Sequence, residues 1–119
     1  MRIVITGATG FIGSNLAKLF LKKGAEVFAL VRPQSSHLDA LPKDENLHMV
    51  PCGLSNVMDC VSQIGQADAF FHLAWGGVNR QEIDSPQVQE ENVASSLECI
   101  RAAKKLGCTM FMDAGSRVE

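Results

Sequence analysis

A short β-branched run, Arg2-Ile3-Val4-Ile5-Thr6, stops at Gly7, and glycine returns at Gly10 and Gly13 before a helical pattern begins. The run reads as a strand covered on both faces, as in a parallel sheet. Beyond the glycines, Ile12, Leu16, Leu19 and Phe20 fall at helical spacing, and Lys22-Lys23-Gly24 supplies a cationic last turn and a stop. In that order, strand, tight turn and helix aim the helix's unpaired N–H groups at the turn, where they carry partial positive charge. A pyrophosphate bound there would accept their hydrogen bonds. Gly7 allows the turn, Gly10 leaves room for backbone to approach phosphate, and Gly13 lets the helix pack close to the sheet. The spacing Gly-x-x-Gly-x-x-Gly is one residue longer than the commonest dinucleotide fingerprint, so its position between a strand and a helix carries the reading.

The rest of the chain repeats the alternation. Residues 26–31 read as a second strand, 33–46 as a mostly irregular loop with two prolines, and 47–51 as a third strand. Residues 56–64 read as a short helix closed by Gly65, and 68–74 as a fourth strand. Ser85 and Pro86 open the longest helix as N-cap and first helical residue, and Gly107 ends it. Val93, Leu97, Ile100 and Ala103 line one face of that helix, and residues 109–113 form a fifth strand. Strands alternating with helices imply parallel β-α-β units. The expected fold class is α/β, a Rossmann-type doubly wound parallel sheet of about five strands, incomplete relative to the full architecture, in one unit over residues 1–119.

Composition removes several classes. Hydrophobic residues make up 46% of the chain and charged residues 20%, which is ordinary for a globular domain. The net charge of −2 without a basic block argues against nucleic acid or an anionic membrane as partner. No apolar run is long enough for a membrane span, no signal peptide precedes the first strand, and the expected location is the cytoplasm. Cys52, Cys60, Cys99 and Cys108 form no C-x-x-C pair and read as free thiols in apolar surroundings. His37, His48 and His72 lack ligand spacing, so no metal site is expected. His72 reads as a packed strand histidine.

With these motifs in order, Thr6-Gly7-Ala8-Thr9-Gly10-Phe11-Ile12-Gly13 resembles the N-terminal motif of the extended short-chain dehydrogenase/reductase family, the NAD(P)-dependent nucleotide-sugar epimerases and dehydratases. Phe70-Phe71-His72-Leu73-Ala74-Trp75 resembles that family's His-Leu-Ala-Ala strand end. Residues 91–107 resemble its long Asn-Val-x-Gly-Thr helix, and 110–119 resemble its fifth strand, which ends at a catalytic serine or threonine. The resemblance spans essentially the whole chain and says little about substrate. It implies that Gly7, Gly10, Phe11, Ile12 and Gly13 hold the phosphates. It implies that Leu73, Ala74 and Trp75 flank the ribose and nicotinamide, and that Ser116 hydrogen-bonds the reacting oxygen. Asn92 matches a helix asparagine that braces the site in relatives, and reads equally well as a surface polar residue.

Three departures qualify the resemblance. The family's acidic residue at the end of the second strand is replaced by Arg32, which suits a 2′-phosphate, so NADP is favoured over NAD. The family's Gly-Asp-Leu reads Cys52-Gly53-Leu54, which loses the carboxylate near adenine and leaves the Gly53 backbone and the Leu54 side chain to meet the base. The family's acid/base pair, Tyr-x-x-x-Lys, has no match, and the chain contains no tyrosine. A phenol brought near neutral pKa needs a phenol and a cation beside it. The expectation is therefore the NAD(P)-binding portion of a nucleotide-sugar oxidoreductase, not catalytically competent by itself. The alternatives are a non-catalytic dinucleotide-binding module and a truncated relic. The fifth strand is expected at an uncovered edge, open to self-association.

Overall fold

The computed structural model of the protein describes residues 1–32, 38–53, 56–74 and 85–114. Five strands form one parallel sheet: β1 (Arg2–Thr6), β2 (Glu26–Val31), β3 (Leu47–Pro51), β4 (Ala69–His72) and β5 (Met110–Asp113). Their order across the sheet is β3-β2-β1-β4-β5. Among the described residues three α-helices connect them: α1 (Phe11–Lys22), α2 (Val57–Val61) and α3 (Pro86–Lys105).

The three central strands, β2, β1 and β4, are buried on both faces, which is why they read as continuous apolar runs, whereas the edge strands β3 and β5 are partly exposed. One face carries Val4, Phe28, Leu30, Val50 and Phe70 and packs against α2 and α3 through Val57, Val61, Cys99, Ala102 and Leu106. The other carries Ile3, Ile5, Val27, Ala29 and Phe71 and packs against α1 through Ala17 and Leu21. This is the three-layer α/β arrangement that the alternation predicts. The amino ends of the strands are fastened by Arg2. Its guanidinium donates to Glu26, to the Ile64 carbonyl and, through Nε, to the Gln66 carbonyl, each at 2.7 Å, and lies 4.7 Å above the Phe28 ring.

Several boundaries differ from the sequence reading. The loop read as irregular contains a turn of 3-10 helix at Leu38–Ala40. The short helix covers only Val57–Val61, and β4 is trimmed to Ala69–His72. Ser85 and Pro86 open α3 as expected, with Ser85 Oγ accepting from Val88 N–H at 3.4 Å.

The larger correction concerns the face of α3. Of the expected stripe Ala103 is buried, but Val93, Leu97 and Ile100 are about half exposed, and Asn92, Cys99 and Ala102 are buried instead. At about 100° per residue the two sets lie roughly a third of a turn apart. Small residues face the sheet because they let α3 approach it closely. The branched residues that looked like the core stripe stand on the outside.

Candidate functional site

Because every strand is parallel, all five carboxyl ends meet at one edge. The chain moves outward from β1 through β2 to β3, then returns to place β4 on the other side of β1. The switch point between β1 and β4 is where open α/β sheets leave a crevice for ligands. Gly7 sits there with φ +69°, and its carbonyl accepts from Gly10 N–H at 3.1 Å. A Cβ on Gly7 would lie 2.8 Å from the Ala74 nitrogen, backbone against backbone. A Cβ on Gly13 would overlap the Gly7 carbonyl oxygen and lie 2.9 Å from the Ala8 Cα. Gly13 thus brings α1 close to the glycine loop rather than to the sheet itself. Gly10 is the helix N-cap and offers no side chain, and no acidic residue occupies the first turn. The first helical bond is Ser14 N–H to Gly10 O, at 2.9 Å. The amides of Phe11, Ile12 and Gly13 precede that bond, and no side chain caps them, an arrangement that fits an anion such as a pyrophosphate. Phe11 and Ile12 stand 86% and 63% exposed beside this N-terminus, apolar surface with nothing yet against it.

The other sequence-predicted residues that the structure describes lie along the same edge. Arg32 follows the last residue of β2 and is exposed. Gly53 lies two residues past β3, whose end is tied to β2 by Cys52 N–H donating to Val31 O at 2.7 Å. The Gly53 amide is already engaged: its N–H donates to Asn56 Oδ1 at 3.0 Å and its carbonyl accepts from Asn56 N–H at 3.2 Å. Bonding adenine through the Gly53 N–H would require release of Asn56. Leu73 and Ala74 leave β4 directly under Gly7. Leu54, Trp75 and Ser116 lie outside the described residues.

Under this crevice is a polar pair that sequence reasoning did not connect. Thr6 and His72 are each 1% exposed, in register across β1 and β4, with Thr6 Oγ1 2.7 Å from His72 Nδ1. Thr6 Oγ1 also accepts from Leu73 N–H at 3.1 Å and Ala74 N–H at 3.2 Å. The Cys99 thiol reaches the same ring nitrogen at 3.5 Å. Burial holds the His72 pKa below its ordinary value against the opposing pull of Asp113. Burial pushes the Cys99 thiol up to about 12, and it raises Cys52 as well, with help from Cys60. These thiols are protonated and unreactive at neutral pH. Among the described residues no group of three or more His, Cys, Asp or Glu side chains could hold a metal ion. Asn92, left open between site brace and surface residue, is buried. Thr6 carried one usable signal, a hydroxyl closing the apolar run Ile3-Val4-Ile5.

The profile of the NAD dependent epimerase/dehydratase family matches residues 3–119. A 3-beta-hydroxysteroid dehydrogenase of Mycolicibacterium neoaurum is 28% identical over 116 residues, covering 93% of this chain and 31% of that protein. GDP-mannose 3,5-epimerase 1 of Oryza sativa subsp. indica is 29% identical over 119 residues, covering 98% of this chain and 31% of that protein. The crystal structure of the Bordetella bronchiseptica enzyme WbmH in complex with NAD+ superposes with a TM-score of 0.76 at 26% identity, over 92% of this chain and 37% of that one. The chain spans about a third of the length of the curated relatives it matches. Among the described residues no helix is long and apolar enough to cross a membrane.

Proposed function

This chain belongs to the NAD-dependent epimerase/dehydratase family, and we propose from that premise that residues 1–119 are the NAD(P)-binding part of a nucleotide-sugar epimerase-, dehydratase- or reductase-like oxidoreductase. The observation that carries the reading is the uncapped N-terminus of α1, opened by Gly10 and wedged through Gly7 and Gly13 against the end of β4. In this reading the amides of Phe11, Ile12 and Gly13 bind the pyrophosphate, and Arg32 meets a 2′-phosphate, favouring NADP. Gly53 and Leu54 meet the adenine, and Leu73, Ala74 and Trp75 flank the ribose and nicotinamide. Ser116 orients the reacting oxygen. When bound, the dinucleotide supplies a hydride acceptor. The chain contains no tyrosine, so the family's phenolic acid/base is not among these residues and they do not complete the reaction alone. The reading further includes a cytoplasmic location and self-association through β5.

Calorimetric titration with NADP and NAD tests the proposal. Saturable binding of both, tighter for NADP, is expected. Arg32→Ala should weaken NADP by about tenfold and leave NAD within about twofold, the loss of one charge-assisted contact. Equal affinities would sink the NADP preference, and no binding of either would sink the dinucleotide site.

A further inference from the structure

Donor and acceptor counting assigns the protons of the buried Thr6–His72 pair. A threonine oxygen has two lone pairs and one hydrogen. The N–H groups of Leu73 and Ala74 point at Thr6 Oγ1 and use the lone pairs, so the hydroxyl hydrogen is left for His72 Nδ1. His72 is then neutral, accepting at Nδ1 and carrying its own proton at Nε2. The depressed basicity that burial gives the ring agrees with that state. His72 Nε2 is buried and has no hydrogen-bond partner among the described residues, so the contacts at Nδ1, the Thr6 hydroxyl at 2.7 Å and the more distant Cys99 thiol at 3.5 Å, are what orient the ring.

Deepening the dinucleotide reading, on which it rests, we infer that Thr6 and His72 are positioning residues of the cofactor crevice: the imidazole fixes the Thr6 hydroxyl, and Thr6 Oγ1 holds the Leu73–Ala74 turn against Gly7. The geometry leaves little slack. Any Cβ at Gly7 would meet the Ala74 nitrogen at 2.8 Å, so the two walls of the crevice are already in contact. The Leu73 N–H is shared between the Thr6 carbonyl, at 3.2 Å, and Thr6 Oγ1. The Ala74 N–H lies two residues beyond the last ladder pair and depends on the hydroxyl. Removing the hydroxyl frees the turn at the place where the nicotinamide half of the ligand would lie. It leaves the adenine side, at the ends of β2 and β3, untouched.

The test compares Thr6→Val, Thr6→Ser, His72→Asn and His72→Leu in the full chain, each titrated with NAD and with AMP. Thr6→Val and His72→Leu should weaken NAD by about tenfold while AMP stays within about twofold, one buried hydrogen bond lost from one side of the site. Thr6→Ser keeps the hydroxyl, and His72→Asn offers Oδ1 where Nδ1 accepts; both should rescue NAD affinity. Equal loss of NAD and AMP would show a general scaffold role and overturn the inference, as would a Thr6→Val chain that binds NAD like the wild type. Wild-type protein that binds no NAD would instead overturn the dinucleotide reading, and this inference with it. A measurement independent of ligand is the ¹⁵N spectrum of the His72 ring in the wild-type chain. The Nε2-protonated tautomer is expected, and an Nδ1-protonated ring overturns the assignment.

Discussion

At the scale of single residues, glycines that look alike in the sequence differ in what surrounds them. Gly7 and Gly24 both have positive φ, +69° and +85°. A Cβ at Gly24 would meet nothing within 4 Å, whereas one at Gly7 would collide with the end of β4. Gly24→Ala should therefore cost only the conformational penalty, about 1 kcal/mol. Gly7→Ala should cost that plus the displacement of Leu73 and Ala74, about 2–4 kcal/mol in all. It should also abolish dinucleotide binding, which Gly24→Ala should not. Urea unfolding and NAD titration of the two variants measure both effects, and equal penalties would show that the close approach at Gly7 is not what requires glycine there.

At the scale of elements, what was legible in the sequence is what is encoded locally. Strand β1, the glycine turn and α1 are contiguous, so spacing alone placed them, and the Ser85-Pro86 start of α3 was equally local. The buried face of α3 was not legible, because it is chosen by a partner far away in the chain. Val93, Leu97 and Ile100 outrank Cys99, Ala102 and Ala103 in hydrophobicity, yet the core takes the smaller set, which permits closer packing. The Thr6–His72 pair and the Arg2 fastening were hidden for the same reason: parallel register, not sequence proximity, brings them together. Leu97→Lys should accordingly change stability by less than about 0.5 kcal/mol. Ala102→Leu, a more apolar residue, should destabilise by about 1–3 kcal/mol through overpacking. Chemical denaturation distinguishes them, and the reverse ranking would restore the outer stripe as the packing face.

At the scale of the whole molecule, the buried neutral imidazole couples stability to pH. The His72 pKa is lower in the folded chain than the ordinary 6.5 expected after unfolding. Below about pH 6.5 the unfolded chain therefore binds a proton that the folded chain resists, and stability falls as pH drops toward the folded value. Above about pH 6.5 both states are neutral at this site and its contribution is level. The slope cannot exceed about 1.4 kcal/mol per pH unit for one proton. Unfolding midpoints at about pH 7.5 and 5.5 should separate in the wild type and draw together in His72→Asn. An unchanged separation would place the acid sensitivity elsewhere.

The pairing of β1 with β4 also has a consequence in time. Neighbouring strands in this sheet join residues at four separations: Ile3 with Val27, Val27 with Leu47, Ala69 with Met110, and Ile3 with Ala69. The last of these closes the longest stretch of chain, and loop closure grows costlier with length. The crevice between Gly7 and Ala74 exists only once that closure has been made. A half-assembled sheet of β1, β2 and β3 offers the glycine loop without its opposite wall. Under the proposed reading, a dinucleotide bound there rewards the completed topology and not its precursors, which would make it a late-acting guarantor of the fold.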